Sequence, residues 1–87
     1  MVDAIVLLCV IPGSEYRIKD ELQKVDGVTN SRITFGEYDL FVELTTDNIK
    51  DLGRLVSRQI RTITGVTKSI TLILTDQIFA NEINDTT

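Results

Sequence analysis

Val25-Asp26-Gly27-Val28-Thr29-Asn30-Ser31 and Ile63-Thr64-Gly65-Val66-Thr67-Lys68-Ser69 are one phrase written twice. Each places an apolar β-branched residue two positions before a glycine and a Val-Thr pair directly after it. Glycine is the residue that most easily takes the left-handed conformation just past a helix end. Valine and threonine favour strands. Both copies therefore mark the same event, a helix that stops on glycine and passes straight into a strand, and the repetition implies a duplicated β-α-β unit.

Outward from the first copy, Ile18, Leu22 and Val25 recur at helical spacing while Lys19, Asp20, Glu21 and Lys24 face away. Ser14 is placed as the N-cap of that helix, with Glu15 in its first turn. Pro12-Gly13 ends the preceding segment, Asp3 to Ile11. This apolar and β-branched run is too short for a core helix and reads as a strand. The run does not alternate, so both of its faces are expected to be covered. Downstream, Val28 to Phe35 alternates, with Ile33 and Phe35 on one face. Gly36-Glu37 is a turn, and Tyr38 to Leu44 returns with Leu40, Val42 and Leu44 on one side, which predicts an antiparallel hairpin.

The second copy has matching surroundings. Thr45-Thr46-Asp47-Asn48 offers N-cap residues, and Ile49, Leu52, Val56, Ile60 and Ile63 form the buried stripe of a second helix. Val66 to Thr75 is the last strand, with Ile70, Leu72 and Leu74 alternating with Ser69, Thr71 and Ile73. Residues 1–75 are expected to form one domain and residues 76–87 a C-terminal tail. Ile78, Phe79 and Ile83 of that tail are available for docking, and Asn84-Asp85-Thr86-Thr87 is expected to fray.

The fold predicted is α+β and ferredoxin-like: βαββαβ order, a four-stranded antiparallel sheet, and both helices on one face. Two helices cover one face of such a sheet. The other is expected to expose apolar residues of the first strand together with Phe41 and Ile73. An exposed patch of that kind marks an interface. Pairing sheet against sheet about a two-fold axis, as in a dimeric α+β barrel, covers it. The alternative is a C-terminal segment folded back over the sheet.

Composition narrows the functions open to the chain. With 87 residues it is a single domain too small to bury a large share of its surface. Small domains gain stability from disulfides, metals or self-association. The single cysteine, Cys9, excludes a disulfide within the chain, and it sits in an apolar run as a small hydrophobe. No histidine is present, so neither a Cys-His nor a Ser-His pair exists and transition-metal ligands are lacking. No cofactor is expected. Net charge is −4, with nine Lys and Arg scattered along the chain. Only Arg54, Arg58 and Arg61 group together, along one side of the second helix, as a solvated face or an anion-contacting stripe. Direct DNA binding is not expected from such a charge distribution. No segment has the length of a membrane span, and the start lacks a basic region and cleavage site, so no membrane contact and a cytoplasmic address are expected.

The polar groups that do converge suit a small zwitterion. Gly36 and its hairpin present backbone N–H and C=O groups beside Tyr38 and the Asp39 carboxylate, while Ser69 and Thr71 project hydroxyls from the last strand. A free amino acid needs a carboxylate or carbonyls for its ammonium, and hydroxyls or amides for its carboxylate.

Gly36-Glu37-Tyr38-Asp39-Leu40 resembles the Gly-x-Tyr-Asp motif of the Lrp/AsnC family of amino-acid-responsive regulators. Val10-Ile11-Pro12-Gly13, both glycine turns and Ser69-Ile70-Thr71 fit the same family, so the similarity runs from about Asp3 to Thr75. It covers the C-terminal effector-binding and oligomerisation module, the RAM domain. The chain has no room for the family's N-terminal helix-turn-helix, and it is expected to be a stand-alone RAM protein. The resemblance implies a homo-oligomer of sheet-paired dimers, assembled further as an octamer of four dimers. It also implies an effector, an amino acid in class, bound between dimers by Gly36, Glu37, Tyr38, Asp39, Ser69 and Thr71. Each of these has a plainer reading: turn geometry for Gly36, interface packing for Tyr38, and a hairpin cap or an Arg32 pair for Asp39. Glu37 is also read as a solvated hairpin group, and Ser69 and Thr71 as the polar face of a strand. The function expected is a non-enzymatic sensor, joining full-length Lrp/AsnC regulators as a mixed oligomer. A purely structural assembly protein and a small dimeric ferredoxin-like enzyme are the alternatives.

Overall fold

The fold is described from a computed structural model, which covers residues 1–76. Strand β1 (Val2–Val10) leads to helix α1 (Glu15–Gln23), strands β2 (Val28–Ile33) and β3 (Leu40–Thr46), helix α2 (Ile49–Leu55) and strand β4 (Val66–Leu74). The four strands form one antiparallel sheet in the order β2-β3-β1-β4. That order places β3 between β1 and β2, and β1 between β3 and β4, the ferredoxin-like arrangement of two interleaved β-α-β units. The tail expected at 76–87 lies outside the described residues beyond Asp76.

The two glycine turns are the same structure twice. Val28 N–H donates to Val25 O at 3.1 Å, and Val66 N–H donates to Ile63 O at 3.2 Å. Gly27 O accepts from Thr45 N–H at 2.8 Å, and Gly65 O accepts from Ile11 N–H at 2.9 Å. Each turn thus ties the end of a helix to the strand of the other unit. Gly27 sits at φ 97° and Gly65 at φ 104°, conformations that side chains resist. The space is closed as well: a Cβ on Gly27 would lie 2.9 Å from Leu55 Cδ2, and one on Gly65 would lie 3.0 Å from Arg17 Nη2.

One face of the sheet carries the core. Val2, Ala4, Val6, Leu8 and Val10 of β1 alternate inward, against Leu40, Val42 and Leu44 of β3. Ile18 and Leu22 of α1 and Leu52 and Leu55 of α2 close over them. Burying each such side chain stabilises by about 1.5–3 kcal/mol. Ser31 is the one buried polar residue among those described, and its hydroxyl donates to Lys19 O at 3.5 Å.

Among the described residues, no helix covers the opposite face. Ile5 and Leu7 of β1 stand beside Phe41 of β3 and beside Ile70, Leu72 and Leu74 of β4. The last three are 36%, 48% and 40% exposed. Two expectations change here. The unbroken apolar run of β1 is covered on one face only within the chain, because its second face lies on the open side. Ile73 is exposed as expected, at 37%, but on the helix side, since it pairs with buried Ala4; the β4 row on the open side is Ile70, Leu72 and Leu74.

Helix details differ from expectation too. Ser14 stands at the start of α1 but makes no side-chain cap; its hydroxyl donates to Ile11 O instead. Asn48 does cap α2, accepting from Asp51 N–H at 2.8 Å. Ile49, expected on the buried stripe, is 55% exposed, and Leu55 is buried in its place. After Leu55 the helix widens into a π turn, Val56–Ile60, closed by Arg61 N–H to Val56 O at 2.9 Å. The predicted β2 stops at Ile33, short of Phe35, which is fully exposed.

Candidate ligand-binding site

The hairpin residues gather at one end of the sheet. Thr34 N–H donates to Asp39 O at 2.9 Å and the Thr34 hydroxyl donates to Tyr38 O at 2.6 Å, closing the loop. The loop is then fastened to β1. Asp39 N–H donates to Leu8 O at 2.8 Å, Val10 N–H donates to Asp39 Oδ2 at 2.8 Å, and the Cys9 thiol donates weakly to Glu37 O at 3.5 Å. Gly36 turns the chain at φ 144°, with open space where a Cβ would stand. Tyr38 is half-buried, with Lys68 Nζ 5.6 Å from the centre of its ring. The Asp39 carboxylate therefore has a structural duty, and no pair with Arg32 forms: among the described residues the one ion pair is Arg17–Glu21.

Ser69 and Thr71 lie elsewhere. Their partners on β1 are Leu8 and Val6, both buried under the helices, so the two hydroxyls share the helix side of the sheet. Lys68, paired with Cys9, points to the open side with Tyr38. Within one chain the structure thus brings Gly36, Glu37, Tyr38 and Asp39 together, and sets Ser69 and Thr71 apart from them. The two hydroxyls border a groove of about 580 Å³ between β4 and the π turn, shared with Val56, Arg61 and Thr67. Neither hydroxyl has a hydrogen-bond partner among the described residues, whereas Thr67 donates to Cys9 O at 3.1 Å.

Arg61 departs from the side of the helix expected for it. At regular helical spacing Arg54, Arg58 and Arg61 would share one side. The π turn carries an extra residue, so Arg61 falls out of phase with the other two. Arg54 and Arg58 border a groove with Asp26, Asp47 and Asp51, while Arg61 faces β4. No three His, Cys, Asp or Glu side chains among the described residues group as metal ligands do. No helix among them is long and apolar enough to cross a membrane.

The family model described as the Lrp/AsnC ligand binding domain matches residues 3–83. The chain belongs to the Lrp/AsnC ligand-binding-domain family. An uncharacterised HTH-type transcriptional regulator of Pyrococcus abyssi is 28% identical over 78 residues, covering 86% of this chain and 52% of its own length. This Lrp/AsnC domain spans about half the length of the curated relatives it matches. The crystal structure of FFRP-DM1 is 31% identical, with TM-score 0.82, covering 85% of this chain and 99% of that one. A transcriptional regulator of Neisseria meningitidis in complex with L-methionine shares the fold at 13% identity and TM-score 0.74, covering 84% of this chain and 49% of its own. The Lrp/AsnC membership agrees with the hairpin motif, the two glycine turns and the strand order alike.

Proposed function

We propose that this domain senses a small effector, an amino acid in class, and does so as an oligomer without catalysing a reaction. The observation that carries the reading is the division of the candidate site. The hairpin group and the hydroxyl pair lie on different sides of one sheet, so a ligand that needs both is held where two copies meet. In this reading Asp39 Oδ1 takes the effector's ammonium, Oδ2 being committed to Val10 N–H. Gly36 backbone and the Ser69 and Thr71 hydroxyls take its carboxylate, and Glu37 and Tyr38 border it. The open face seats a second copy, sheet on sheet, and four such dimers close the assembly. Full-length regulators of the family offer the same kind of face for a mixed oligomer. A cytoplasmic address goes with that role. The methionine bound by the Neisseria regulator supports the ligand class.

A second reading, assembly without any ligand, rests on the open apolar face, which favours pairing by itself. Calorimetric titration with the twenty L-amino acids separates the two. Heat from at least one, weakened in Asp39→Ala, is expected; no heat from any sinks the amino-acid sensor. Light scattering after size exclusion at micromolar protein is expected to give a dimer or larger, and Phe41→Glu on the open face is expected to shift it toward monomer. A wild-type monomer overturns the assembly.

A further inference from the structure

Two grooves meet at Arg61. The polar one, described above, holds Arg61, Ser69 and Thr71. The other, of about 210 Å³, runs between α2 and β4 and is bordered by Ile49, Gly53 and Ile73 as well as by Arg61 and Thr71. It exists because α1 and α2 pack chiefly over β2 and β3, leaving the helix side of β4 half covered. Gly53 has open space where a Cβ would stand, in a helix interior where glycine is otherwise a cost. Among the described residues, no carboxylate borders either groove.

We infer that Arg61 is the carboxylate-binding cation of the effector site, with Ser69 and Thr71 beside it. The Ile49–Gly53–Ile73 groove then receives an apolar side chain of the same ligand. This deepens the sensor reading and rests on it. A guanidinium grips a carboxylate through two parallel N–H···O bonds, and Arg61 is exposed with no acidic partner among the described residues. The ligand class that fits is a small 2-amino or 2-oxo acid with a branched or linear aliphatic side chain. The groove has no acidic group for an ammonium, so the amino group must be met by a different part of the assembly. A 2-oxo acid accordingly fills the groove on its own terms.

The test uses the full chain with three probes, L-isoleucine, 3-methyl-2-oxopentanoate and isoleucinamide, by calorimetry. The two acids are expected to bind and the amide not. Arg61→Gln is expected to weaken both acids about tenfold or more, the scale of losing a hydrogen bond between charged groups. Gly53→Leu is expected to block both while the melting temperature stays the same or rises, which a merely structural role of Gly53 would not produce. Equal binding of isoleucine and its amide, or unchanged affinity in Arg61→Gln, overturns the inference. If no amino acid binds but the oxo acid does, and Arg61→Gln loses it, the amino-acid sensor fails and the Arg61 subsite stands. If only polar or charged amino acids bind, the sensor stands and this subsite falls. Binding of none of the probes and no amino acid overturns both.

Discussion

In the first half of the domain, β1-α1-β2, the helix is regular from Glu15 to Gln23, and Ile18 and Leu22 are fully buried over the sheet. In the second half, β3-α2-β4, the regular helix covers only Ile49–Leu55, then widens into the π turn and leaves the helix side of β4 partly bare. Both halves end in the same glycine turn with the same hydrogen bonds. The difference between them is therefore not in how the chain turns but in what each helix covers. Both halves feed the core, but in the second the helix continues as a π turn and β4 keeps a groove with an arginine at its edge. π turns of this kind occur often at functional sites.

The two halves differ most visibly between Ile18 of α1 and Ile49 of α2. Ile18→Ala removes a fully buried side chain and is expected to cost about 2–5 kcal/mol in urea unfolding. Ile49→Ala, near the start of α2, is expected to change stability by no more than about 0.5 kcal/mol, because that side chain is more than half exposed. Equal losses at the two sites would mean that α2 covers β4 as fully as α1 covers its strands.

The duplicated glycine phrase, the hairpin and the inward row of β3 all follow from local periods of two and 3.6, and the structure has them where they were expected. Departures occur in both halves: Ser14, Phe35 and the second face of β1 in the first, Ile49, Arg61 and Ile73 in the second. Extending one helical phase across the π turn misplaces Arg61, because a phase argument fails once a residue is inserted, while Ile49 is exposed as the first residue of α2, ahead of that turn. Ile73 was assigned to the open side because both rows of β4 are partly apolar, so alternation alone does not say which row faces the helices. The six site residues were legible one by one. Their distribution over two sides of the sheet was not, because it depends on the register Leu8↔Ser69 and Val6↔Thr71, a long-range pairing that no local pattern encodes.

The glycine turns offer the next sharpest test, since here the halves are most alike. Gly27→Ala and Gly65→Ala both force a side chain into a left-handed conformation, at about 1–2 kcal/mol. Gly27→Ala adds a clash with buried Leu55 and a 3.3 Å approach to the Thr45 carbonyl, neither of which yields easily. Gly65→Ala meets the end of Arg17, which is exposed and can swing away at the loss of its 2.7 Å hydrogen bond to Thr64 O, and approaches Ile18 Cδ1, the tip of a buried side chain, at 3.1 Å. Gly27→Ala is expected to be the more damaging by about 1 kcal/mol in paired denaturant curves. The reverse order would show that the Arg17 link between the halves outweighs packing against Leu55.

The smallest expected difference lies at the helix starts, and it runs opposite to the packing. Asn48 caps α2 with its side chain, so Asn48→Ala is expected to cost about 1 kcal/mol. Ser14 donates its hydroxyl to Ile11 O rather than accepting from the first turn of α1, and the backbone there is held by Glu15, whose carboxylate accepts from Gly13 N–H at 2.7 Å. Ser14→Ala is therefore expected to cost no more than about 0.5 kcal/mol, less than a capping serine would. The cap matters more for α2 because Asn48 accepts directly from its first turn, whereas the Ser14 hydroxyl does not accept from α1. Thermal unfolding of the two variants side by side checks this. A Ser14→Ala loss equal to that of Asn48→Ala would mean that the Ser14–Ile11 hydrogen bond holds the start of α1 as firmly as the Asn48 cap holds α2.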